Sequence, residues 1–144
     1  MKKIKLGIFE ELTLQLGTRQ IGSVFPINAH EMVGTTMREI RRFEGEEIKE
    51  CLPFTFSCAC FIPEVEFVVG HTVSGSEMWV MRSTDLTHPI STNFKTGQTC
   101  VYHMIYSSKS KSIITIGSGI KVFTISWELK GSHFFSSNYE VTIK

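Results

Sequence analysis

The four cysteines and five histidines of the chain are the side chains that could bind a metal ion or transfer a proton. Cys58 and Cys60 are two residues apart in an apolar stretch, so on a strand both thiols point to the same side, roughly 6.5–7 Å apart along the backbone. A structural zinc site generally joins two such Cys or Cys/His pairs. Cys100 and His103 are the other local pair, but their odd separation sends them to opposite faces of a strand. We therefore predict no metal site and interpret Cys58 and Cys60 as small core residues.

His103 is the histidine with the most informative surroundings. It alternates with Val101 and Ile105 on one face of a predicted strand, and it lies in a pocket if that face lines one. Acid–base catalysis requires a partner within hydrogen-bond reach, and the chain has no His-Glu-x-x-His or His-x-His motif to supply one. A hydrogen-bonded histidine at the margin of a sheet is the alternative interpretation.

No segment carries the pattern of a catalytic nucleophile or of a phosphate-binding loop. The Gly-x-Ser-x-Gly motif, which exposes a serine between a strand and a helix, is absent. Residues 70–76 reproduce the glycine spacing of a phosphate-binding loop, but Ser76 occupies the position of the required lysine. Residues 117–119 lack the third glycine of the dinucleotide motif and predict a hairpin turn. We expect no cofactor, and these absences favour a protein that is not an enzyme.

Arg82, Tyr102 and Tyr106 belong to the residue types that are enriched at binding hot spots. The two tyrosines lie in a predicted strand over residues 98–106, which from Thr99 to Tyr106 contains neither a charged residue nor a proline. Natural edge strands usually carry such protection, so an edge strand of this composition needs a partner to cover it. The candidate binding residues are Tyr102, Tyr106, His103 and Arg82.

The elements that must position these residues are mainly strands. The 144-residue chain has 15 Ile, 10 Val and 14 Thr but only 2 Ala and 7 Leu, and branched side chains pack well on a sheet. Its 11 Phe residues supply bulk for a core. With 42% hydrophobic and 20% charged residues, the composition excludes disordered, collagen-like and membrane proteins. We expect a single domain over residues 1–144.

One segment predicts a helix. Asn28 has the residue type of a helix N-cap, and Glu31 stands at the third position after it, as in a capping box. Gly45 provides a C-terminal stop. We therefore predict a helix over about residues 29–44 whose apolar face packs on a sheet. The residues of that face are Met32, Met37, Ile40 and Phe43.

The rest of the chain predicts strands. Residues 4–16 alternate as in a hairpin that bends at Glu10 and Glu11, and residues 54–62 are almost continuously apolar, as in a strand buried on both faces. Residues 113–129 predict a hairpin around a Gly-Ser-Gly turn. The predicted fold is α+β and strand-dominated, with one helix packed on a curved, mostly antiparallel sheet. A β-sandwich or a partly open barrel with an inserted helix is the alternative.

Charge and hydropathy limit the partners. The net charge is +1 and no dense stripe of Lys and Arg is present, which argues against nucleic acid. No stretch reaches the roughly 18 apolar residues that cross a bilayer, so no membrane association is expected. Lys5, Glu10 and Glu11 interrupt the apolar run that an export signal needs. We therefore expect reduced cysteines and a cytoplasmic location, in the cell itself or in a host cell.

These features favour a non-catalytic protein-binding or assembly module. An inhibitor, an immunity or accessory factor, and a small structural component of a mobile element all fit this profile. We expect a protein partner or self-association as a homodimer, with a contact that includes strand pairing through residues 98–106 or the face that carries Tyr102 and Tyr106. The alternative is a small-molecule-binding protein or an enzyme with a pocket between the helix and the sheet.

Overall fold

Every regular element in the described part of the chain is a β-strand. The computed structural model describes residues 2–6, 10–14, 21–36, 38–133 and 136–144. Accordingly, these residues include no helix that could cross a membrane. The strands are β1 Lys2–Leu6, β2 Glu10–Leu14, β3 Ile21–Pro26, β4 Glu31–Thr36, β5 Ile40–Glu44, β6 Glu47–Leu52, β7 Phe56–Ile62, β8 Phe67–Thr72, β9 Glu77–Arg82, β10 Asp85–Lys95, β11 Val101–Ser107, β12 Ser112–Gly117, β13 Gly119–His133 and β14 Ser136–Ile143.

The strands pair with their neighbours in sequence, and the pairs are antiparallel. β1 and β2 form a hairpin, and β3–β6, β7–β10 and β11–β14 form three four-stranded sheets in sequence order. The first strand of each of these sheets is an edge strand, and β7 lies against both β3 and β11. The three sheets therefore meet along their first strands.

The predicted α+β fold is wrong, because the described residues between 29 and 44 form two strands and no helix. The capping pattern is nevertheless real. Asn28 Oδ1 accepts hydrogen bonds from the backbone N–H groups of His30 and Glu31, both at 2.8 Å, and Asn28 Nδ2 donates to the Glu31 carboxylate at 3.0 Å. These bonds shape the turn between β3 and β4, which the Ile27 N–H closes by donating to the Glu31 carbonyl at 3.0 Å. A capping residue can thus begin a hairpin turn as readily as a helix.

The apolar spacing that suggested a helix comes from two paired strands. Met32 lies in β4 and Phe43 in β5, and the register places them opposite each other. Ile40 is fully buried in β5, and Val33 is fully buried in β4 beside Met32. Because β4 is buried on both faces, it lacks the polar alternation that identifies a strand from its sequence.

The helix prediction also named Gly45 as the end of the helix and Met37 as a residue of its apolar face. Gly45 lies in the turn between β5 and β6 with a φ of +59°, where a residue without a Cβ is favoured, so it does not end a helix. The predicted inward position of Met37 lies outside the described residues. The alternative folds with an inserted helix are wrong for the same reason as the first choice.

The β7–β10 sheet contributes to two hydrophobic cores. Its residues in the core shared with the β11–β14 sheet include Cys58, Cys60, Val69 and Met78, which meet Val101, Met104, Ile113 and Ile125. Its residues in the other core include Phe56, Ala59, Val68 and Met81, which meet Val33 and Ile40 of the β3–β6 sheet. From Cys58 to Ile62, successive residues of β7 alternate between the two cores, which confirms the prediction of a strand buried on both faces.

Both predicted pairs of strands are present, but the predicted bend of the first pair is wrong. The turn between β12 and β13 is confirmed, and Gly117 pairs with Gly119 across it. A Cβ on Gly117 would lie 1.9 Å from the Cys100 carbonyl oxygen, so this close approach requires glycine. Glu10 and Glu11, in contrast, lie within β2 and pair with β1, so the prediction that they form the bend is wrong.

Candidate functional site

β11 carries three of the four candidate binding residues, and a β-bulge decides where they point. Val101 pairs with Gly117 and His103 pairs with Ile116, so Tyr102 is an extra residue in the strand. Val101 is consequently buried, whereas Tyr102 and His103 are both exposed. The predicted sharing of one face by Val101 and His103 is wrong because the bulge shifts the alternation.

Tyr102 and Tyr106 have different surroundings. Tyr102 is 61% exposed, and its hydroxyl oxygen accepts a hydrogen bond from the Cys100 thiol at 3.3 Å. Tyr106 is half-buried and packs against the core. Burial, together with the adjacent Glu64 carboxylate, raises the pKa of Tyr106 to about 12. Tyr102 is therefore the surface residue of the pair.

The outward side chains of β11, β12 and β13 form an apolar surface. The register aligns them in rows across the three strands. We call the aliphatic members of these rows the outer patch, which consists of Ile105, Ile114, Ile116, Ile120 and Val122. Ile120 is 71% and Val122 62% exposed, although both are side chains that a core normally buries. His103 lies opposite Ile116 in the register and belongs to the same surface.

Polar side chains border the outer patch. Along β13, the same face continues through the exposed residues Thr124, Ser126 and Glu128. On β14, the exposed residues Glu140 and Thr142 pair with Glu128 and Ser126. A contiguous apolar surface with a polar rim is typical of an interaction site.

A cavity of about 440 Å³ lies where the first strands of the three sheets meet. Its walls are residues 22–25 of β3, residues 59–61 of β7 and residues 103–106 of β11. His103 and Tyr106 both line it. The predicted pocket between a helix and a sheet has no counterpart among the described residues, because the cavities lie between strands of different sheets.

A second cavity, of about 300 Å³, is lined by Gly22 of β3, Ser57 of β7, His71 of β8 and residues 99–102. Tyr102 forms part of its wall. A Cβ on Gly22 would lie 2.4 Å from the Ser57 carbonyl oxygen, so glycine permits β3 to approach β7 closely at this point. The second cavity thus brings together polar groups from β7 and β8 with a wall from β11.

Ser57, His71 and Thr96 form a hydrogen-bonded chain at the second cavity. Ser57 Oγ lies 3.3 Å from His71 Nδ1, and His71 Nε2 lies 2.9 Å from Thr96 Oγ1. Thr96 Oγ1 accepts the Gln98 N–H at 3.2 Å and donates to the Ser76 carbonyl at 3.4 Å. With its own proton on the Ser76 carbonyl, Thr96 Oγ1 accepts from His71 Nε2–H, and in that tautomer Nδ1 is an acceptor for the Ser57 hydroxyl. The same hydroxyl lies 3.3 Å from the His71 carbonyl oxygen, which competes with Nδ1 for its single proton.

A second β-bulge turns Ser57 toward His71. Phe56 pairs with Thr72 and Cys58 pairs with His71, so Ser57 is the extra residue between them. His71 is only 1% exposed. Burial lowers the pKa of His71, an effect that a backbone hydrogen bond with Thr72 partly offsets, and the ring is therefore neutral at pH 7.

Arg82 lies apart from these features. It is the last residue of β9, paired with Asp85 of β10 and Phe67 of β8, and it is exposed. Neither cavity is lined by a described residue of β9. The structure therefore brings His103 and Tyr106 together at one cavity, places Tyr102 at the other, and leaves Arg82 at neither.

Cys58 and Cys60 are buried core residues, as the sequence indicated. Burial raises the pKa of Cys58 to about 11 and that of Cys60 to about 12, so both thiols stay protonated at neutral pH. Cys51 and Cys100 are free thiols as well. In the part of the chain that the structure describes, no group of three or more His, Cys, Asp or Glu side chains is arranged to hold a metal ion.

Sequence reasoning missed the chain of Ser57, His71 and Thr96 because its members are distant in sequence. Ser57 and His71 are 14 residues apart, and His71 and Thr96 are 25 residues apart. The available signal was a polar residue within or just after an apolar segment: Ser57 lies in residues 54–62, and His71 follows residues 65–69. A buried polar side chain needs a hydrogen-bond partner. Each of these residues therefore indicates that a partner exists, but the sequence does not show which residue it is.

A comparison with protein-family models finds none that matches the chain, and a comparison with curated proteins finds no matching sequence. The outer patch and the two cavities are therefore the features that bear on function.

Proposed function

We propose that this protein is a protein-binding or assembly module that self-associates through the outer patch. The observation that carries the proposal is the exposure of neighbouring aliphatic side chains on one sheet face, with Ile120 71% and Val122 62% exposed. Single exposed apolar residues are common on any protein, but a contiguous group with a polar border is not. Covering such a surface contributes about 25 cal/mol for each Å² of apolar area removed from water.

A second copy of the chain is the partner that the chemistry favours. The strand positions aligned with the outer patch, including His103, hold no Asp, Glu, Lys or Arg, so its complement is another aliphatic surface rather than a surface of opposite charge. A twofold axis places the same patch of two chains face to face. Two sheets stacked in this way lie about 10 Å apart and interdigitate their side chains.

The contact uses the face of β11 rather than its edge. β11 is an edge strand of its own sheet, but it lies against β7 of the same chain. Residues 103–106 of β11 border the cavity between β3, β7 and β11. The edge of this uncharged strand is therefore covered in part by its own chain, while its outward side chains stay exposed.

Charged substitutions on the outer patch test the proposal. We expect the wild-type chain to elute as a dimer in gel filtration with light scattering, and Ile120→Lys and Val122→Lys to elute as monomers, because each variant would bury an unpaired ammonium group in the contact. Ile90→Lys is the matched control, since Ile90 is 69% exposed but lies on β10, away from the patch. It should remain dimeric.

Two results contradict the proposal. One is a wild-type chain with the mass of a single copy, including a monomer that captures a different protein through the same face. The other is a dimer that Ile120→Lys and Val122→Lys leave intact while Ile90→Lys dissociates it, which would move the contact to β10.

A further inference from the structure

We propose that Ser57 and His71 form an acyl-transfer site that hydrolyses small, uncharged carboxylic esters in the second cavity. This activity is independent of the outer patch, so it does not rest on self-association.

The arrangement contains a nucleophile, a base and a group that orients the base. Ser57 Oγ lies 3.3 Å from His71 Nδ1, at the long end of hydrogen-bond reach, and apo sites commonly tighten when substrate binds. His71 Nε2 lies 2.9 Å from Thr96 Oγ1, a contact that holds the ring in position. Thr96 is itself held by the Gln98 N–H and the Ser76 carbonyl. These contacts therefore have the arrangement of a catalytic triad, in which a threonine is the third member and orients the base.

The cavity determines the class of substrate. Its volume of about 300 Å³ suits a small ligand, and Phe56, Val73 and Val101 supply apolar walls for a short acyl chain. None of its lining residues is charged, which favours an uncharged ester. The Tyr102 hydroxyl accepts from the Cys100 thiol, so its own proton can be donated to an oxyanion in the cavity.

The reaction proceeds in two balanced steps. Ser57 Oγ attacks the ester carbonyl while its proton passes to His71 Nδ1, and collapse of the tetrahedral intermediate breaks the ester C–O bond as His71 returns the proton to the leaving alcohol. Water then gives a proton to His71 and attacks the acyl-Ser57 carbonyl. The carboxylic acid leaves, and the proton returns from His71 to Ser57. The sum is ester plus water giving acid plus alcohol, with no other reactant.

A purely structural role for the same residues makes different predictions. A histidine that only joins β8 to the residues after β10 would leave the Ser57 hydroxyl no more reactive than any other serine. An activated serine, in contrast, reacts with a fluorophosphonate and turns over an activated ester. Cys100 also lines the cavity, and the fluorophosphonate distinguishes it because the reagent labels activated serines rather than thiols.

The experiment uses the full chain with an alkyl fluorophosphonate and p-nitrophenyl butyrate. We expect the reagent to label Ser57, located by peptide mass mapping, and the ester to be hydrolysed. Ser57→Ala should abolish both signals, and His71→Gln should lower both by about 100-fold. Tyr102→Phe should lower ester turnover about tenfold and leave the labelled position unchanged. Ser74→Ala is the control, because Ser74 is an exposed serine outside the cavity lining.

His71→Gln affects a buried residue and can unfold the chain, so Ser57→Cys provides an independent measurement. A cysteine beside His71 should react with iodoacetamide at least tenfold faster than the exposed Cys51, since a neighbouring imidazole promotes the thiolate. The proposal is overturned if wild-type Ser57 takes no label, if Ser57→Ala hydrolyses the ester as fast as Ser74→Ala, or if the introduced cysteine reacts no faster than Cys51.

Discussion

At the scale of single residues, the most informative side chain is a buried histidine whose partners are all uncharged. His71 contacts Ser57 and Thr96, and the Cys58 thiol that pairs with it in the register stays protonated. Burial lowers the pKa of His71 below its ordinary value of 6.5. The unfolded chain therefore takes up this proton at a higher pH than the folded chain does, and acid stabilises the unfolded state.

The consequence is a pH dependence of stability with a defined sign. As the pH falls through about 6.5, the free energy of unfolding should decrease, and the decrease should end below the pKa of folded His71. His71→Gln keeps the hydrogen-bonding capacity but cannot be protonated, so its chemical denaturation midpoint should fall less between about pH 7 and pH 5 than that of the wild type. His30→Gln, at an exposed position, is the control. Identical pH profiles for wild type and His71→Gln would show that the histidine does not titrate on unfolding.

At the scale of elements, the sequence predicts those strands whose signal is local. The continuous apolar run of β7 and the turn between β12 and β13 are confirmed because neighbouring residues alone specify them. β4 and β5 were predicted as a helix because Asn28 and Glu31 cap a turn with the same bonds that begin a helix, and because β4 is buried on both faces.

The sequence predicts much less of the candidate site than of the strands. The bulges at Ser57 and Tyr102 each add one residue to a strand, which moves the following side chains to the other face and breaks the alternation. The two cavities depend on strands from different sheets, so their lining residues have no common sequence signal. The residue types in β11 indicated a surface, but the outer patch emerges only from the register of three strands.

The burial of Ile40 provides a test of whether β5 is a strand of the core. Ile40 is fully buried in β5 and belongs to the core between the β3–β6 and β7–β10 sheets. Ile40→Ala should lower the free energy of unfolding by about 2–5 kcal/mol, because the lost methyl groups leave a cavity. Ile90→Ala, at a 69% exposed position, should change it by less than about 0.5 kcal/mol. Equal denaturation midpoints for the two variants would show that Ile40, and with it β5, is not part of the core.

At the scale of the whole molecule, the surfaces for the two proposed activities lie on different sides of the β11–β14 sheet. Its inner face closes the core against the β7–β10 sheet, and β11 supplies walls to both cavities. Its outer face carries the outer patch, in which Ile105, Ile120 and Val122 are exposed in the single chain and Ile114 and Ile116 are half-buried. Burying that face against a second copy removes the exposed apolar surface without using Ser57 or His71, so association and ester hydrolysis can be tested separately.

Sedimentation equilibrium of the wild-type chain over a range of micromolar concentrations tests the central claim of self-association most directly. We predict a mass that approaches twice the 16.3 kDa of one chain as the concentration rises, and that returns to 16.3 kDa for Ile120→Lys at every concentration. The measured mass rises with concentration because the association of two identical chains obeys mass action. A wild-type mass of 16.3 kDa across the whole range would contradict the proposal.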